Sequence, residues 1–331
     1  MIYYRPLLQQ GPRPGPALSL AGSALWFTHV QALTRADPAK TIGAGDLPPG
    51  VSARLCAHRA PVAGLVFDAP RLMGILNVTP DSFSDGGRHD APEAAQAAAL
   101  EMVQNGADII DIGGESTRPG ADFIPPAQEI ARTAPVIAAL RANSDVAISI
   151  DTRKAGVAGA ALAAGADLVN DVSGLTYDGE MAGVCAKRGA PVCVMHAQGD
   201  PATMQDAPRY DNVLLEVYDF LEARITALER AGIARSKILV DPGIGFGKTV
   251  EHNLTLMRNI AVFHGLGCAI LLGASRKRLI GTIGNAPGAD ARAPGSIALG
   301  LAALAQGVQI LRVHDVGETA QAIALWRAVR E

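Results

Sequence analysis

The chain has few aromatic and few charged side chains. Among its 331 residues, aromatic residues make up 4% and charged residues 18%, whereas hydrophobic residues make up 49%. This composition excludes an intrinsically disordered chain and is typical of a globular protein with a large core. Because aromatic residues are scarce, that core must be built mainly from alanine, valine, isoleucine and leucine.

The sequence also lacks excess positive charge, paired cysteines and long apolar runs. The formal net charge is −3 and no basic stripe is present, so nothing favours a nucleic-acid partner. The four cysteines form no C-x-x-C pair, which favours free thiols in a reducing compartment. No apolar run is long enough to cross a bilayer, and Ala17–Phe27 lacks a signal-peptide cleavage pattern. We therefore expect a cytoplasmic protein without a membrane partner.

Residues 1–69 differ in composition from the rest of the chain. They are rich in proline and glycine, as in Gly11–Pro16 and Leu47–Gly50, and show no sustained hydrophobic period. We interpret them as a partly structured N-terminal extension that packs against the main domain, with a role that the sequence does not indicate. Residues 70–331 form the predicted main domain.

In the main domain, short apolar runs alternate with longer alanine-rich runs of helical period. The predicted strands are Arg71–Val78, Ala107–Gly113, Val146–Asp151, Asp167–Asp171, Pro191–His196, Ile238–Pro242, Cys268–Gly273 and Val308–Val313. The predicted helices are Ala91–Asn105, Pro126–Ala142, Lys154–Ala164, Gly179–Arg188, Pro208–Ala231, Val250–Phe263, Pro294–Ala305 and Gly317–Arg330. Strands that are apolar throughout are buried on both faces, which indicates a parallel sheet of the α/β class.

Repeated strand–helix units predict a (β/α)8 TIM barrel that carries the N-terminal extension, with a doubly wound open sheet as the alternative. Polar residues at the strand ends favour the barrel: Asn77, Asp111, Glu115, Asp151, Asn170, Asp171, His196, Asp241, Ser275, Lys277, Arg312 and His314. In a barrel, the carboxyl ends of all strands open on one face, where active sites lie. An open sheet would instead spread these residues along a line.

Asp151 and Asp241 each end an apolar strand. Such an acid can be a helix N-cap. Alternatively, both acids and Asn170 line the mouth of the barrel, which is the open face at the carboxyl ends of its strands. A carboxylate accepts two parallel N–H bonds from an amidine-like edge, and a 2-amino-4-oxopterin presents such an edge. Lys277 could then donate to the ring carbonyl.

Arg312 and His314 lie two residues apart in the last predicted strand, so their side chains face the same side. The loops after strands seven and eight are the usual phosphate site of this barrel, and arginine forks onto phosphate oxygens. The pattern therefore favours an anion site. An ion pair between Arg312 and Asp315 is the alternative.

The segment Gly243–Thr249 ends like a phosphate-binding P-loop, but Pro242 stands where that motif needs glycine. We interpret it as a turn whose glycines let the backbone approach a ligand. Lys248 either points into the pocket or solvates the turn. The polar segments Asn77–Gly87 and Gly113–Gly120 are long enough to be mobile lids, and their oxygen ligands suit Mg²⁺ beside substrate phosphates.

Several stretches resemble the motifs of the dihydropteroate synthases. The most specific are Met73–Gly87 and Asp111–Gly120; the others are Ser149–Thr152, Val169–Asp171, Met195–His196, Asp241–Lys248, Ser275–Lys277 and Arg312–Asp315. The resemblance implies a Mg²⁺-dependent transferase of tetrahydrofolate biosynthesis. Such an enzyme condenses 6-hydroxymethyl-7,8-dihydropterin diphosphate with p-aminobenzoate to 7,8-dihydropteroate and diphosphate.

The resemblance also implies three subsites. The pterin subsite would contain Asp151, Asn170, Met195, Asp241, Phe246, Gly273 and Lys277. The diphosphate subsite would contain Asn77, Thr117, Arg312 and His314, and Asn77 would also hold Mg²⁺. The p-aminobenzoate subsite would contain Phe83, Thr117, Arg118, Pro119 and Ser275. Direct catalytic roles fall to Asp151, Lys277, Arg312 and His314.

The implied reaction is a dissociative substitution, in which the bond to diphosphate breaks before the arylamine attacks and Asp151 stabilises the pterin cation. The family is typically dimeric, so we expect a homodimer, and we expect sulfonamide inhibitors to compete with p-aminobenzoate. A generic phosphate-binding barrel enzyme is the fallback if the pterin pocket fails, and two more specific alternatives remain. A pterin-dependent methyltransferase would need no diphosphate subsite, and a pterin-binding protein without catalysis would have lost loop or anion-binding residues.

Overall fold

The structure is a computed structural model, and it describes residues 1–78, 91–116, 123–199, 204 and 207–330. Its main domain is a closed barrel of eight parallel strands, in which each strand pairs with the next along the chain and the last pairs with the first. The strands are β6 (Arg71–Asn77), β7 (Ile109–Gly113), β8 (Ala147–Asp151), β9 (Leu168–Asp171), β10 (Val192–Met195), β11 (Ile238–Asp241), β12 (Ala269–Leu272) and β13 (Ile310–Val313). The predicted barrel is confirmed, and the open sheet is wrong.

Helices follow the barrel strands. They are α2 (Ala91–Gln104), α3 (Pro126–Asn143), α4 (Ala155–Ala164), α5 (Met181–Arg188), α6 (Val213–Arg230), α7 (Val250–Arg258), α8 (Arg278–Ile283), α9 (Ala293–Leu304) and α10 (Val316–Ala328). The prediction that a helix starts at Pro208 was wrong, because the Asn212 side chain caps α6 by accepting a hydrogen bond from the Leu215 N–H at 3.2 Å. The predicted helix Val250–Phe263 is also divided, since a 3₁₀ helix, Ile260–Leu266, follows α7.

Alternate residues of each barrel strand face opposite sides, as the pleat of a strand requires. One set, which includes Leu72, Ile110 and Ile148, packs in the large cluster shared with the helices. The other set fills the barrel interior: Met73, Ile109, Ala147, Leu168, Cys193, Leu239, Leu271 and Ile310. Val62 belongs to this interior cluster, so the chain just before β6 closes the amino-terminal end of the barrel.

Residues 1–69 form a small layer with regular structure. A three-stranded antiparallel sheet contains β1 (Tyr3–Pro6), β4 (His29–Leu33) and β5 (Lys40–Gly43), and further elements are β2 (Leu18–Ser19), β3 (Trp26–Phe27) and α1 (Pro49–Cys56). The layer has its own apolar cluster, which includes Leu20, Phe27, Val30 and Leu55. It contacts the barrel helices: the Tyr3 hydroxyl lies 2.8 Å from Asp219 Oδ1 on α6, and Arg59 donates to the His264 carbonyl at 3.1 Å.

Among the helices that the structure describes, none has both the length and the apolar composition needed to cross a membrane.

Candidate active site

The pleat of the strands explains why polar residues gather at one end of the barrel. Two residues beyond the interior apolar positions, the same inward face continues with Asp111, Asn170, Met195, Asp241, Gly273 and Arg312, while Asn77 and Asp151 lie four residues beyond Met73 and Ala147. The carboxyl ends of the strands therefore present acids, two amides and a cation to one mouth. This arrangement brings together residues that are up to 235 positions apart, counted from Asn77 to Arg312.

Arg312 connects three of the barrel strands. Its Nε donates to Asp111 Oδ2 at 2.5 Å, and its Nη2 donates to Asp151 Oδ2 at 2.7 Å. Asn170 Nδ2 donates to the same Asp111 oxygen at 3.1 Å. The alternative Arg312–Asp315 ion pair is wrong, because Asp315 accepts from the Arg276 guanidinium at 2.5 Å instead.

Burial controls the charge of the acids in the mouth. It raises the pKa of Asp151 to about 7; Arg312 opposes this shift and Asp111 adds to it. Burial also raises the pKa of Asp241. Burial alone would lower the pKa of Arg312, but the charges of Asp111 and Asp151 outweigh it, so the net shift is upward and the guanidinium stays charged.

The N-cap interpretation of Asp151 and Asp241 is wrong. Asp151 binds Arg312, and the first N–H of α4 is instead bound by Asp178 Oδ2 at 2.8 Å. Asp241 Oδ1 accepts from the Gly243 N–H at 2.7 Å within its own turn. The other oxygen of Asp241 lies next to Gly273, since a Cβ atom added to that glycine would be 3.4 Å from it, at van der Waals contact.

Lys277 and Phe246 form a second polar and aromatic pair beside these acids. The Lys277 ammonium lies 3.9 Å from the centroid of the Phe246 ring, in a cation–π contact. The positive charge of Lys277 also opposes the upward shift that burial gives the pKa of Asp241. Phe246 and Lys277 come from the loops after β11 and β12, so both loops contribute to this side of the mouth.

His314 and Ser275 are in contact after the last two strands. Ser275 Oγ lies 3.0 Å from His314 Nδ1 and accepts from the His314 backbone N–H at 3.2 Å. The hydroxyl thus orients the imidazole through two contacts. The resemblance gave these residues to different subsites, and the structure places them side by side.

Within the described ranges, no group of three or more His, Cys, Asp or Glu residues is arranged to hold a metal ion. Asn77 supplies an amide oxygen at the end of β6, and that oxygen would lie 3.8 Å from a Cβ atom added to Gly113. A single protein oxygen of this kind suits Mg²⁺, which keeps several waters and shares substrate phosphates. Phe83, Thr117, Arg118 and Pro119 lie outside the described residues.

Sequence and structure comparisons agree with this geometry. A family model described as "Pterin binding enzyme" matches residues 73–314. A dihydropteroate synthase of Synechocystis is 46% identical over 274 residues, which are 81% of this chain and 95% of that protein. The chain belongs to the pterin-binding enzyme family.

Solved structures of the family share the fold. A Xanthomonas albilineans dihydropteroate synthase with 4-aminobenzoic acid has a TM-score of 0.77 and 46% identity, and the match covers 82% of this chain and 97% of that one. A Yersinia pestis dihydropteroate synthase in a sulfonamide drug complex has a TM-score of 0.76 and 44% identity, with 80% and 96% covered. The predicted relationship to dihydropteroate synthases, which are pterin-group transferases, is thereby confirmed.

Three polar residues that the sequence placed at the strand ends do not face the mouth. Asp171 accepts from the N–H and the hydroxyl of Ser173, at 2.7 and 2.6 Å. His196 packs edge-on against Phe220 of α6, with ring centroids 5.0 Å apart. Glu115 binds the Lys154 ammonium at 2.8 Å. In this family member, all three are structural contacts around the pocket rather than part of its lining.

Both interpretations of Lys248 were wrong, because its side chain neither enters the pocket nor reaches solvent. It is 3% exposed and donates to the carbonyls of Gly243, Phe246 and His196 at 2.9, 3.0 and 3.2 Å. Its ammonium also lies 2.9 Å from His196 Nδ1. Burial lowers the pKa of Lys248 to about 7, Asp241 opposes this shift and Lys277 adds to it.

The loop around Lys248 requires its glycines. Gly243, Gly245 and Gly247 have φ angles of 71°, 84° and 62°, which disfavour other residues. A Cβ atom on Gly243 would also lie 1.9 Å from the His196 carbonyl oxygen. The glycines let carbonyls turn inward onto Lys248, and this holds the backbone of Phe246, whose ring lies beside Lys277. The alternation of glycine with other residues before Lys248 was the only sequence signal of this role.

Proposed function

We propose that this protein condenses 6-hydroxymethyl-7,8-dihydropterin diphosphate with p-aminobenzoate, giving 7,8-dihydropteroate and diphosphate, with Mg²⁺ as cofactor. The observation that carries the proposal is the inward-facing set of Asp151, Asn170, Asp241 and Arg312 at one end of the barrel. The relatives' names and the 4-aminobenzoic acid bound to the Xanthomonas albilineans structure support it. A cytoplasmic location and a homodimer remain predictions.

The acids of the mouth fit the hydrogen-bonding edge of a pterin. Asp151 Oδ1 is buried and, among the described residues, has no hydrogen-bond partner. Buried polar atoms are rarely left in this state, so a ligand that donates N–H groups suits the pocket. The 2-amino group and ring N–H groups of a pterin are such donors. Lys277 would donate to the ring carbonyl, while Phe246 and Met195 would supply apolar surface.

The diphosphate would bind beside the pterin, near Arg312 and His314. The guanidinium carries the positive charge needed for an anion, and Ser275 orients the His314 ring. Asn77 would hold Mg²⁺ through its amide oxygen, with diphosphate oxygens and water completing the coordination. When bound, the metal would supply positive charge that offsets the charge of the leaving diphosphate.

In the proposed reaction, different side chains stabilise the positive and the negative charge that develop as the substrate bond breaks. As the carbon–oxygen bond breaks, the bonding electrons leave with the diphosphate and the pterin methylene becomes positive. The Asp151 carboxylate stabilises that positive charge, whereas Arg312 and His314 stabilise the departing anion. The lone pair of the p-aminobenzoate nitrogen then forms the new carbon–nitrogen bond, and the nitrogen loses a proton. Because the arylamine is already neutral, it needs no strong general base.

Diphosphate release by the purified protein tests this proposal. The assay contains the dihydropterin diphosphate and Mg²⁺, with or without p-aminobenzoate, and product is followed by chromatography. Release that requires p-aminobenzoate and matches dihydropteroate one to one is the expected result. Pterin binding without turnover would instead favour a binding protein, and methyl transfer to or from a pterin would favour a methyltransferase.

We also propose that sulfonamides inhibit this protein by competing with p-aminobenzoate. A solved Yersinia pestis relative holds a sulfonamide drug, and these drugs share the arylamine of p-aminobenzoate. Raising the p-aminobenzoate concentration should restore activity at a fixed sulfonamide concentration. Initial-rate measurements with both compounds varied give the pattern, and inhibition that p-aminobenzoate leaves unchanged would contradict competition.

A further inference from the structure

Asp111 lies below the residues assigned to the subsites and has no place in them. It follows the interior residue Ile109 on β7, and its side chain is completely buried. In the register of β7 and β8, Asp111 pairs with Ser149, whereas Gly113 pairs with Asp151. Asp111 is therefore one inward-facing layer deeper in the barrel than Asp151.

One oxygen of Asp111 connects two of the proposed subsites. Asp111 Oδ2 accepts from Arg312 Nε at 2.5 Å and from Asn170 Nδ2 at 3.1 Å. Arg312 belongs to the proposed diphosphate subsite, and Asn170 belongs to the proposed pterin subsite. A substitution that alters this buried oxygen would therefore affect the binding of both the pterin and the diphosphate.

The position of Arg312 depends on two acids at once. Asp111 holds its Nε and Asp151 holds its Nη2, so the two contacts fix the plane of the guanidinium. Without the charge of Asp111, only Asp151 would hold Arg312, and the Asn170 amide would lose its charged acceptor. Both side chains would then sample orientations that do not match the ligand.

On this geometry, we propose that Asp111 is a positioning residue that holds Arg312 and Asn170 in the orientation needed by the pterin diphosphate. The inference rests on the proposed function, because it assigns those two residues to that substrate. Asp111 acts from beneath the pocket through its two partners. It contributes to binding of the pterin and of the diphosphate but makes no contribution to binding of p-aminobenzoate.

The test variant is Asp111→Asn, and Asp108→Asn is its matched control. Asp108 immediately precedes β7 and also binds an arginine: Arg71 Nη1 lies at 3.2 Å from it. Its second donor is the Leu72 backbone N–H at 2.8 Å, and the pair is half-buried, whereas Asp111 is completely buried. Asp108 lies at the opposite end of the barrel from the mouth. A general effect of losing an aspartate–arginine pair at this strand would therefore appear in both variants.

For Asp111→Asn, we expect kcat/KM for the pterin diphosphate to fall by about ten- to a hundredfold, the size of effect typical of hydrogen bonds to charged groups. The KM for p-aminobenzoate should stay near the wild-type value, and Asp108→Asn should keep wild-type kinetics. A wild-type kcat/KM for the pterin diphosphate in Asp111→Asn would overturn the inference. So would a KM for p-aminobenzoate that rises by the same factor by which kcat/KM for the pterin diphosphate falls.

Binding measurements keep the two proposals separable. If the wild-type protein shows no condensation, the proposed function fails, and calorimetry with inorganic diphosphate plus Mg²⁺ and with 6-hydroxymethylpterin tests Asp111 directly. Weaker binding of both probes in Asp111→Asn, but not in Asp108→Asn, supports the positioning role. Unchanged binding refutes it.

Two further variants cover the case in which Asp111→Asn alone does not fold, because replacing Arg312 as well removes the guanidinium that would otherwise lose its buried counter-charge. Arg312→Met and the double variant Arg312→Met/Asp111→Asn leave no arginine for Asp111 to orient. If Asp111 affects diphosphate through Arg312, the two variants bind inorganic diphosphate with the same affinity, since effects on one interaction are not additive. A further loss of about tenfold or more in the double variant would show an independent role and overturn the proposal.

Discussion

Asp151 is the side chain in which burial and chemistry are most directly in conflict. Burial favours its neutral form, while Arg312, at 2.7 Å, favours the carboxylate. The outcome is a pKa of about 7, far above the ordinary value for aspartate. The proposed reaction needs the carboxylate, because only the charged form stabilises a cation. The fraction of active free enzyme should therefore change around neutral pH.

This conflict predicts an acid limb in the pH profile. Below about pH 7, Asp151 takes up a proton, so kcat/KM for the pterin diphosphate should fall by about tenfold per pH unit. Above that pH the carboxylate predominates and the profile should level. The measurement is kcat/KM at saturating p-aminobenzoate across this range.

Asp151→Asn provides the control for that profile, because the diphosphate substrate also titrates. The variant should lose about 10²-fold in kcat, as expected when one preorganised charge is removed from a transition state. Its pH profile should also lack the fall in kcat/KM that protonation of Asp151 causes in the wild type. An unchanged limb in the variant would assign the titration to the substrate.

At the scale of single elements, the sequence was informative wherever local pattern determines structure. Continuous apolar runs identified the buried parallel strands. Because side chains alternate between the two faces of a strand, Asp111, Asn170 and Arg312 then lie on the inward face. Local capping explains the errors, since Asn212 starts α6 later than the apolar pattern suggests. The role of Lys248 could not be predicted, because it depends on carbonyls from two loops that meet only in the folded barrel.

The loop after β11 leads to a prediction for Lys248→Met. Methionine has similar length but cannot donate to the carbonyls that hold the loop, so Phe246 should lose its fixed position beside Lys277. A buried carbonyl left without its donor costs about 1–3 kcal/mol, and Lys248 serves three, so the KM for the pterin diphosphate should rise at least about tenfold. Steady-state kinetics with each substrate varied should show no comparable change for p-aminobenzoate.

Lys237→Met is the matched control for this loop. Lys237 also donates to a backbone carbonyl, that of Gly189 at 2.8 Å, but it precedes β11 at the opposite end of the barrel. The control should retain wild-type KM values for both substrates. If Lys248→Met stays folded and binds the pterin diphosphate normally, the loop does not depend on its lysine.

At the scale of the whole molecule, the N-terminal layer and the barrel share contacts on two sides. Tyr3 and Arg59 bind α6 and the 3₁₀ helix after α7, and Val62 enters the barrel interior from its amino-terminal end. All of these contacts lie away from the strand ends that carry the candidate site. We therefore expect the layer to affect stability and to leave the chemistry unchanged.

Phe27→Ala tests this expectation, because Phe27 is fully buried in the cluster of the N-terminal layer. Removing a buried phenylalanine side chain costs about 3–5 kcal/mol. If the layer unfolds together with the barrel, calorimetry will show one transition at a lower Tm, while KM and kcat at ordinary temperature remain those of the wild type.

The alternative is a layer that unfolds independently. Phe27→Ala would then produce a separate early transition and leave the main one in place. Val62→Ala distinguishes the two cases further, because Val62 belongs to residues 1–69 but packs with the barrel interior rather than with the apolar cluster of the layer. One result would place the boundary of the cooperative unit between these two residues: the Tm of the main transition falls in Val62→Ala and is unchanged in Phe27→Ala. The N-terminal layer would then be a separate folding unit that is docked on the barrel.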